Sequence, residues 1–205
     1  VVGVDISETQ IALAPKHIPN CSFRVGCATK LDFIESSSVD LFAAGLTFNL
    51  VPQAETLAEA DRVLRPGKTL AIFGYGLSRA TDKKLDDILQ DTFKDIRQFA
   101  PRELLLMMDA YAGVELPYPD ATRKDGFLVR HKFSLEGLMA GLQVVDHWMS
   151  QHAPERVTEG RILQDFKKAV VDAYPAVMAH PTRKDFELVS NVVVVMAHKP
   201  STKRL

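Results

Sequence analysis

Asp5 closes the apolar run VVGVD and is followed at once by Ser7 and the helix-forming ETQIALA. A carboxylate at the carboxyl end of a strand, facing a nucleotide crevice, can accept hydrogen bonds from both hydroxyls of a ribose. The same carboxylate suits the positive end of the helix that Ser7 caps, so the fragment by itself leaves both roles open. A second candidate is Gly26-Cys27-Ala28, small residues at the end of the short strand CSFRVG. There a flat ring could approach the backbone, or a tight loop could turn with no ligand at all. His147 and His152 are spaced i and i+5, share no helical face and have no evident third partner, so metal binding is not expected. Glu59, Asp61, Arg62 and Arg65 read as the solvated face of a helix rather than as catalytic groups.

The elements that must position these residues are organised around Val39 to Gly76. VDLFAAGLTF is an apolar run of strand length, TLAEADRVL is charged and helix-periodic, and RPGKTLAIFGYG closes a turn and begins a second apolar run. Strand, crossover helix and strand make a βαβ unit whose right-handed crossover sets the two strands parallel. Neither strand alternates polar with apolar, as expected of strands covered on both faces. A ligand crevice then lies beyond their carboxyl ends, the first of them in the region of Leu46 to Asn49. The helix Glu55 to Leu64 turns Leu57, Ala60 and Leu64 to the sheet, and Pro66-Gly67 reads as a stop and turn. Val1 to Asp5 reads as a further buried strand in that sheet. Leu31 to Ser38 is a polar connection anchored by Phe33-Ile34.

Beyond Gly76 the pattern changes. TDKKLDDILQDTFKDIRQF is an amphipathic helix capped by Thr81 or Asp82, with Leu85, Ile88, Leu89, Phe93 and Ile96 on one stripe. Arg102 to Tyr111 is a second apolar helix, and the two together look like an inserted cap. Gly113 to Gly126, with Pro117 and Pro119, is a loop or edge segment. LVRHKF reads as a strand, SLEGLMAGL as a serine-capped helix and GRILQDFKKAVVDAY as another amphipathic helix. After Arg183-Lys184, ELVSNVVVVMAHK is a β-branched final strand expected inside the sheet. The tail STKRL is expected to fray. No internal repeat or low-complexity linker is visible.

Composition bounds the function. A chain of 205 residues with net charge -1 and no basic patch does not imply a nucleic-acid partner. Its two cysteines, Cys21 and Cys27, make neither a disulfide framework nor a four-cysteine zinc site, and fit a reducing compartment. No apolar run approaches the ~18 residues of a spanning helix, so no membrane partner is expected and the location reads as cytoplasmic. The chain opens on Val1 in mid-strand rather than on Met, which leaves an upstream leader open.

With VVGVDIS, GCA, SVDLFAAGLTF and EADRVLRPGKTLAIFGYG in this order and spacing, the chain resembles the class I S-adenosylmethionine-dependent methyltransferases. Its closest look is to the small-molecule branch with trans-aconitate methyltransferase-like proteins. The aromatic-proline segment Tyr111 to Tyr118, the cap helix FSLEGLMAGLQVVDHW and the end of the last strand at His198-Lys199-Pro200 extend the likeness along nearly the whole chain. The resemblance implies an α/β fold with a Rossmann-like, mostly parallel sheet, helices on both faces and an inserted helical cap. It implies a single methyltransferase domain over 1–205, with a cofactor-binding βαβ region at 1–76, a helical cap and acceptor region at 77–184 and the final strand at 185–200.

The resemblance also marks departures. The family's first strand and glycine-rich turn, upstream of VVGVDIS, are missing, which predicts a chain taken from part-way through a longer protein that lacks here roughly 30 residues of strand and helix. If the truncation is real, no turnover is expected. Cys27 stands where the family often has an acid for the adenine amino group, and Thr47-Phe48-Asn49 stands where relatives have an aromatic-His-Trp run.

The chemistry so implied is methyl transfer from S-adenosyl-L-methionine to a small-molecule acceptor, with a carboxylate among the candidates. Cofactor contacts fall to Asp5, Ile6, Cys27, Ala28, Leu46 and Phe48. Arg123, Lys124, Arg130 or His131 could hold a carboxylate or simply be loop charges, while Tyr111 and Trp148 line the acceptor pocket or the core. A sulfonium donor is already activated, so the protein must align the two centres and exclude water. A carboxylate acceptor needs no general base, and no catalytic residue is assigned. Two other readings compete: a methyltransferase-like domain without turnover, acting as a binding or structural module, and a nicotinamide-dependent oxidoreductase. The Pro66-Gly67 turn, the inserted helices and the final strand argue against the last. The acceptor and the oligomeric state are not legible.

Overall fold

The computed structural model describes residues 1–15, 17–152, 154, 155, 158–183 and 185–201. The expected tail lies mostly outside the described residues, as does Lys184. The chain divides into two units, one of Val1–Phe73, Val114–Lys124 and Val194–Leu205, the other of Gly74–Gly113 and Asp125–Val193.

In the first unit, strands β1 (Val2–Asp5) and β2 (Ser22–Val25) form a parallel ladder of their own, with Asp5 level with Val25. Between them runs the short helix α1 (Glu8–Leu13), whose Ser7 cap accepts from the Gln10 amide. Strand β3 (Val39–Gly45), helix α2 (Gln53–Val63) and strand β4 (Leu64–Tyr75) make the expected parallel βαβ unit. Behind it Ala60, Leu64, Leu70, Tyr118 and Ala197 pack as one core.

Three expectations are corrected here. Val1–Asp5 is not a buried strand in the sheet of the Val39 strand: among the described residues β1 pairs only with β2, and neither strand has a fully buried residue. A two-stranded ladder with one short helix against it has too little second layer to cover it. Nor do Pro66 and Gly67 end one element before another. Leu64 already pairs with Val39, and the register slips before Leu41 meets Thr69, so Pro66-Gly67 lies in a bulge within the ladder. Gly67 takes the left-handed backbone there, at φ 76°. Finally, the anchor of the 31–38 connection is Leu31, which is buried; Phe33 is exposed under the Arg24 guanidinium.

In the second unit, β5 (Arg79–Ala80) pairs antiparallel with β7 (Phe186–His198). On its other side β7 carries β6 (Thr122–Phe133), so the β-branched run is internal, as its sequence predicts. Helices α3 (Lys83–Arg97), α4 (Arg102–Met108), α5 (Leu135–His152) and α6 (Arg161–Ala173) complete this unit. The α3 stripe enters two cores, Leu85 and Leu89 joining Leu138, Leu142, Phe166 and Val170, and Ile96 joining Leu104, Met108 and Met149. Asp82 is the α3 cap, accepting from Leu85 N–H at 2.9 Å. Among the described residues no helix is long and apolar enough to cross a membrane.

Helix α6 is capped from outside. Gly160 has no side chain to offer, and the buried Asp146 of α5 accepts from Gly160 N–H and, at 3.3 Å, from Leu163 N–H. Replacing a cap acceptor by alanine costs about 0.5–2 kcal/mol, so Asp146→Ala should lower the urea-unfolding free energy by about that much. Hydrogen exchange should speed first in α6, and Asp146→Asn, also a good cap, should retain most of the stability.

Candidate functional site at the carboxyl ends of the parallel strands

Because β1 and β2 run the same way, Asp5, Ile6 and the Gly26-Cys27-Ala28 turn emerge at one end of their ladder. Gly26 N–H donates to the Asp5 carbonyl at 2.9 Å, which locks the two strand ends together. Asp5 Oδ1 accepts from Ser7 N–H at 2.8 Å, closing the turn into α1. Among the described residues its Oδ2 takes no hydrogen bond. The carboxylate therefore serves the helix entrance with one oxygen and still presents the other. Ile6, 76% exposed, offers an apolar shelf beside it. Cys27 and Ala28 are half-buried. Cys27 Sγ lies 3.0 Å from Thr29 Oγ1, and this contact holds the thiol pKa below its usual range.

A loop running from this turn back to β3 is tied to α2 by one ion pair. Arg62 donates to the carbonyls of Leu31 and Ile34, each at 3.0 Å, and to Ser36 Oγ at 3.2 Å. Glu59 pairs with the same guanidinium through both oxygens and accepts from Leu31 N–H at 2.6 Å. Arg62 holds the Glu59 carboxyl below its ordinary range. These residues are not the merely solvated face that the sequence suggests. Their i,i+3 spacing was visible, but their targets are main-chain groups of a loop, which leave no mark in a sequence. Asp61 likewise accepts from Tyr118 OH at 2.8 Å and pairs with Lys199 at 3.5 Å. Burial and this hydrogen bond push the Tyr118 phenol up.

The structure thus brings Asp5, Ile6, Cys27 and Ala28 together. Leu46 and Phe48 follow β3, in a sheet that is not hydrogen-bonded to β1–β2. Leu46 is exposed and left-handed at φ 52°, its N–H on the Phe73 carbonyl at 2.9 Å. Phe48 is 1% exposed and presents almost no surface to a ligand in this conformation.

The three expected acceptor-binding residues all belong to the second unit, where they stand on different elements, Tyr111 after α4, Arg130 on β6 and Trp148 on α5. Tyr111 is buried, and burial with the nearby Tyr75 pushes its phenol up to about 12. Arg130 is exposed on β6 and pairs with Glu187 at 3.2 Å. Trp148 packs on the core of α3, α4 and α5 and stacks on His152 at 4.4 Å between ring centroids.

A groove of about 530 Å³, which none of the expected cofactor residues lines, lies between Ala54, Leu57, Ala58 and the Pro117-Tyr118 segment. Its one carboxylate, Asp61, is already answered by Tyr118 and Lys199, so it offers no unspent chemistry. Among the described residues no group of three or more His, Cys, Asp or Glu could hold a metal ion.

Residues 1–72 match the family model described as a methyltransferase domain. A protein of Schizosaccharomyces pombe named as an uncharacterised methyltransferase is 36% identical over 72 residues, 35% of this chain and 28% of that protein. A protein of Dictyostelium discoideum named only provisionally as a methyltransferase is 27% identical over 182 residues, 85% of this chain. The chain spans 65% of that relative's length, so it falls short of two thirds of either. A solved structure from Anaeromyxobacter dehalogenans, titled a type II methyltransferase, superposes over 98% of this chain and 80% of its own with a TM-score of 0.71 at 19% identity. It shares the α/β fold.

The Glu59–Arg62 tie gives a sign to the acid response. Glu59 is depressed in the folded state, so its contribution is complete above the ordinary 4.5 and is lost as pH falls through its lower folded value. The stability difference between the wild type and Glu59→Gln should accordingly be largest near pH 7 and shrink below pH 4.5 in urea titrations at stepped pH. A difference independent of pH would remove the carboxylate from the tie.

Proposed function

We propose that this chain belongs to a class I methyltransferase and carries its adenosyl-binding edge, the whole protein moving a methyl group from S-adenosyl-L-methionine to a small-molecule acceptor. The observation that carries this reading is Asp5. Within the stretch that matches a methyltransferase domain, it stands at a parallel strand's carboxyl end with one oxygen uncommitted. A free carboxylate oxygen beside an exposed apolar side chain and a turn of small residues fits a ribose and the base it carries. Asp5 would bind the ribose hydroxyls, Ile6 would lie against the sugar or ring, and the Cys27-Ala28 backbone would meet the ring edge. When bound, the cofactor supplies a methyl group already activated on a sulfonium. What this chain's residues do is orient the adenosyl end and keep the strand ends together.

The acceptor class follows the resemblance to the trans-aconitate methyltransferase-like branch, and a small carboxylate is the first choice. Arg130 could hold such an anion only by giving up Glu187, so its part is the weakest of the assignments. A domain without turnover is favoured by one observation: β1–β2 and β3–β4 are separate ladders, whereas a cofactor crevice needs adjoining strand ends. Screening the full-length protein with labelled S-adenosyl-L-methionine against small acids, amines and phenols separates the two.

Calorimetry on the full-length protein should show S-adenosyl-L-methionine binding weakened at least tenfold by Asp5→Ala, with little change for Asp32→Ala, an exposed carboxylate paired with Lys30. Equal affinities for wild type and Asp5→Ala would reject the ribose assignment.

A further inference from the structure

Strand β6 is the most exposed regular element of the chain. Every residue from Thr122 to Lys132 is exposed, and Phe127, Leu128 and Val129 are 53%, 60% and 38% exposed in a row. Its only strand neighbour among the described residues is β7, so one row of its backbone N–H and C=O groups faces outward without a strand partner. Such an edge, apolar at its centre beyond the left-handed Gly126 (φ 84°), is a template for another strand. The period of two sorts its side chains: Phe127, Val129 and His131 lie on one face, and Leu128, Arg130 and Lys132 on the other. Arg130 shares Glu187, while Lys132 has no ion pair among the described residues. Asp125 is the one acid in a strand with four Lys and Arg.

We propose that the open edge of β6 from Gly126 to Lys132 docks an extended segment of a partner protein in which carboxylates alternate with apolar side chains. The segment adds as one further strand. Its main-chain groups pair with the free edge, its carboxylates face Lys132 and compete with Glu187 for Arg130, and its apolar side chains cover Phe127 and Val129 on the opposite face. A second copy of this chain fits less well. It would set two strands of the same sign side by side, each with four Lys and Arg against one Asp, and of the twofold registers centred on Phe127, Leu128 and Val129 only the last avoids a direct pair of like charges. An anionic lipid surface would attract the cations but leave the edge N–H and C=O groups unsatisfied in an apolar layer.

Fluorescence anisotropy with the full chain and a labelled nine-residue peptide of alternating glutamate and isoleucine tests this. The peptide should bind, an alternating lysine–isoleucine peptide should not, and Arg130→Glu with Lys132→Glu should weaken binding at least tenfold. With the wild-type protein alone, N-methylating every second peptide amide should abolish binding in one phase and spare it in the other, because only alternate amides face β6. Equal behaviour of the two phases overturns the proposal. So do failure of the acidic peptide to bind, a β6-dependent dimer in sedimentation, or binding to phosphatidylserine vesicles in place of the peptide.

Discussion

One guanidinium joins the two ladders of the first unit. The β1–β2 and β3–β4 ladders share no strand pairing, and the chain between them passes through a loop with little apolar content. Arg62 gathers that loop by taking two of its carbonyls and a serine hydroxyl, while Glu59 balances the charge and holds the Leu31 amide. Main-chain bonds from Ser37 and Ser38 to the carbonyls of Arg62 and Val63 continue the same seam. A planar, five-donor group suits this task in a way that a lysine would not, since its fork reaches several fixed carbonyls at once. Leu31, buried beside the seam, adds the apolar component that the polar bonds orient.

The position of the Cys27-Ala28 turn follows from that tie. Its lower end is fixed by Gly26 on Asp5, its upper end by Leu31 on Glu59 and Arg62. Several charge-assisted bonds converge there on fixed main-chain groups, and together they select one conformation for a short loop.

How much of this was legible depends on where the information resides. The α3 stripe of Leu85, Ile88, Leu89, Phe93 and Ile96 and the β-branched run of β7 carry their burial in their own period, and both elements stand where that period puts them. The order of the βαβ unit at 39–75 was legible too, but the cover expected on both faces of its strands is not found on β3, which has no buried residue and leaves Leu41 58% exposed. The burial of β1 was not, because burial belongs to the layer that packs against a strand rather than to the strand. Pro66-Gly67 signalled an irregularity correctly, but only pairing partners decide whether it breaks a ladder or bulges it. At the candidate site, the place of Asp5 at the end of β1 and the entrance of α1 was legible because a strand end and a cap signal coincide there. The reach of Arg62 depends on contacts far apart in sequence, its partners Ile34 and Leu31 lying 28 and 31 residues away.

Backbone strain clusters at the ends of elements, and local packing explains why it persists. Leu46 adopts the left-handed region just past β3, which for a branched side chain costs about 1–3 kcal/mol. It is retained because its N–H is taken by Phe73, while Gly45 leaves room for the Phe73 ring; a Cβ there would lie 2.5 Å from it. In the second unit Ala110 and Tyr111 are both left-handed after α4, and there Gly76 permits the approach, since a Cβ would stand 3.0 Å from the Met108 carbonyl. In each case a glycine next to the strained residue lets a neighbour close in tightly enough to hold it. Strain held in this way keeps a loop from relaxing toward the conformations its sequence prefers, so the segments that leave the carboxyl ends of β3 and α4 have their directions set by packing rather than by propensity.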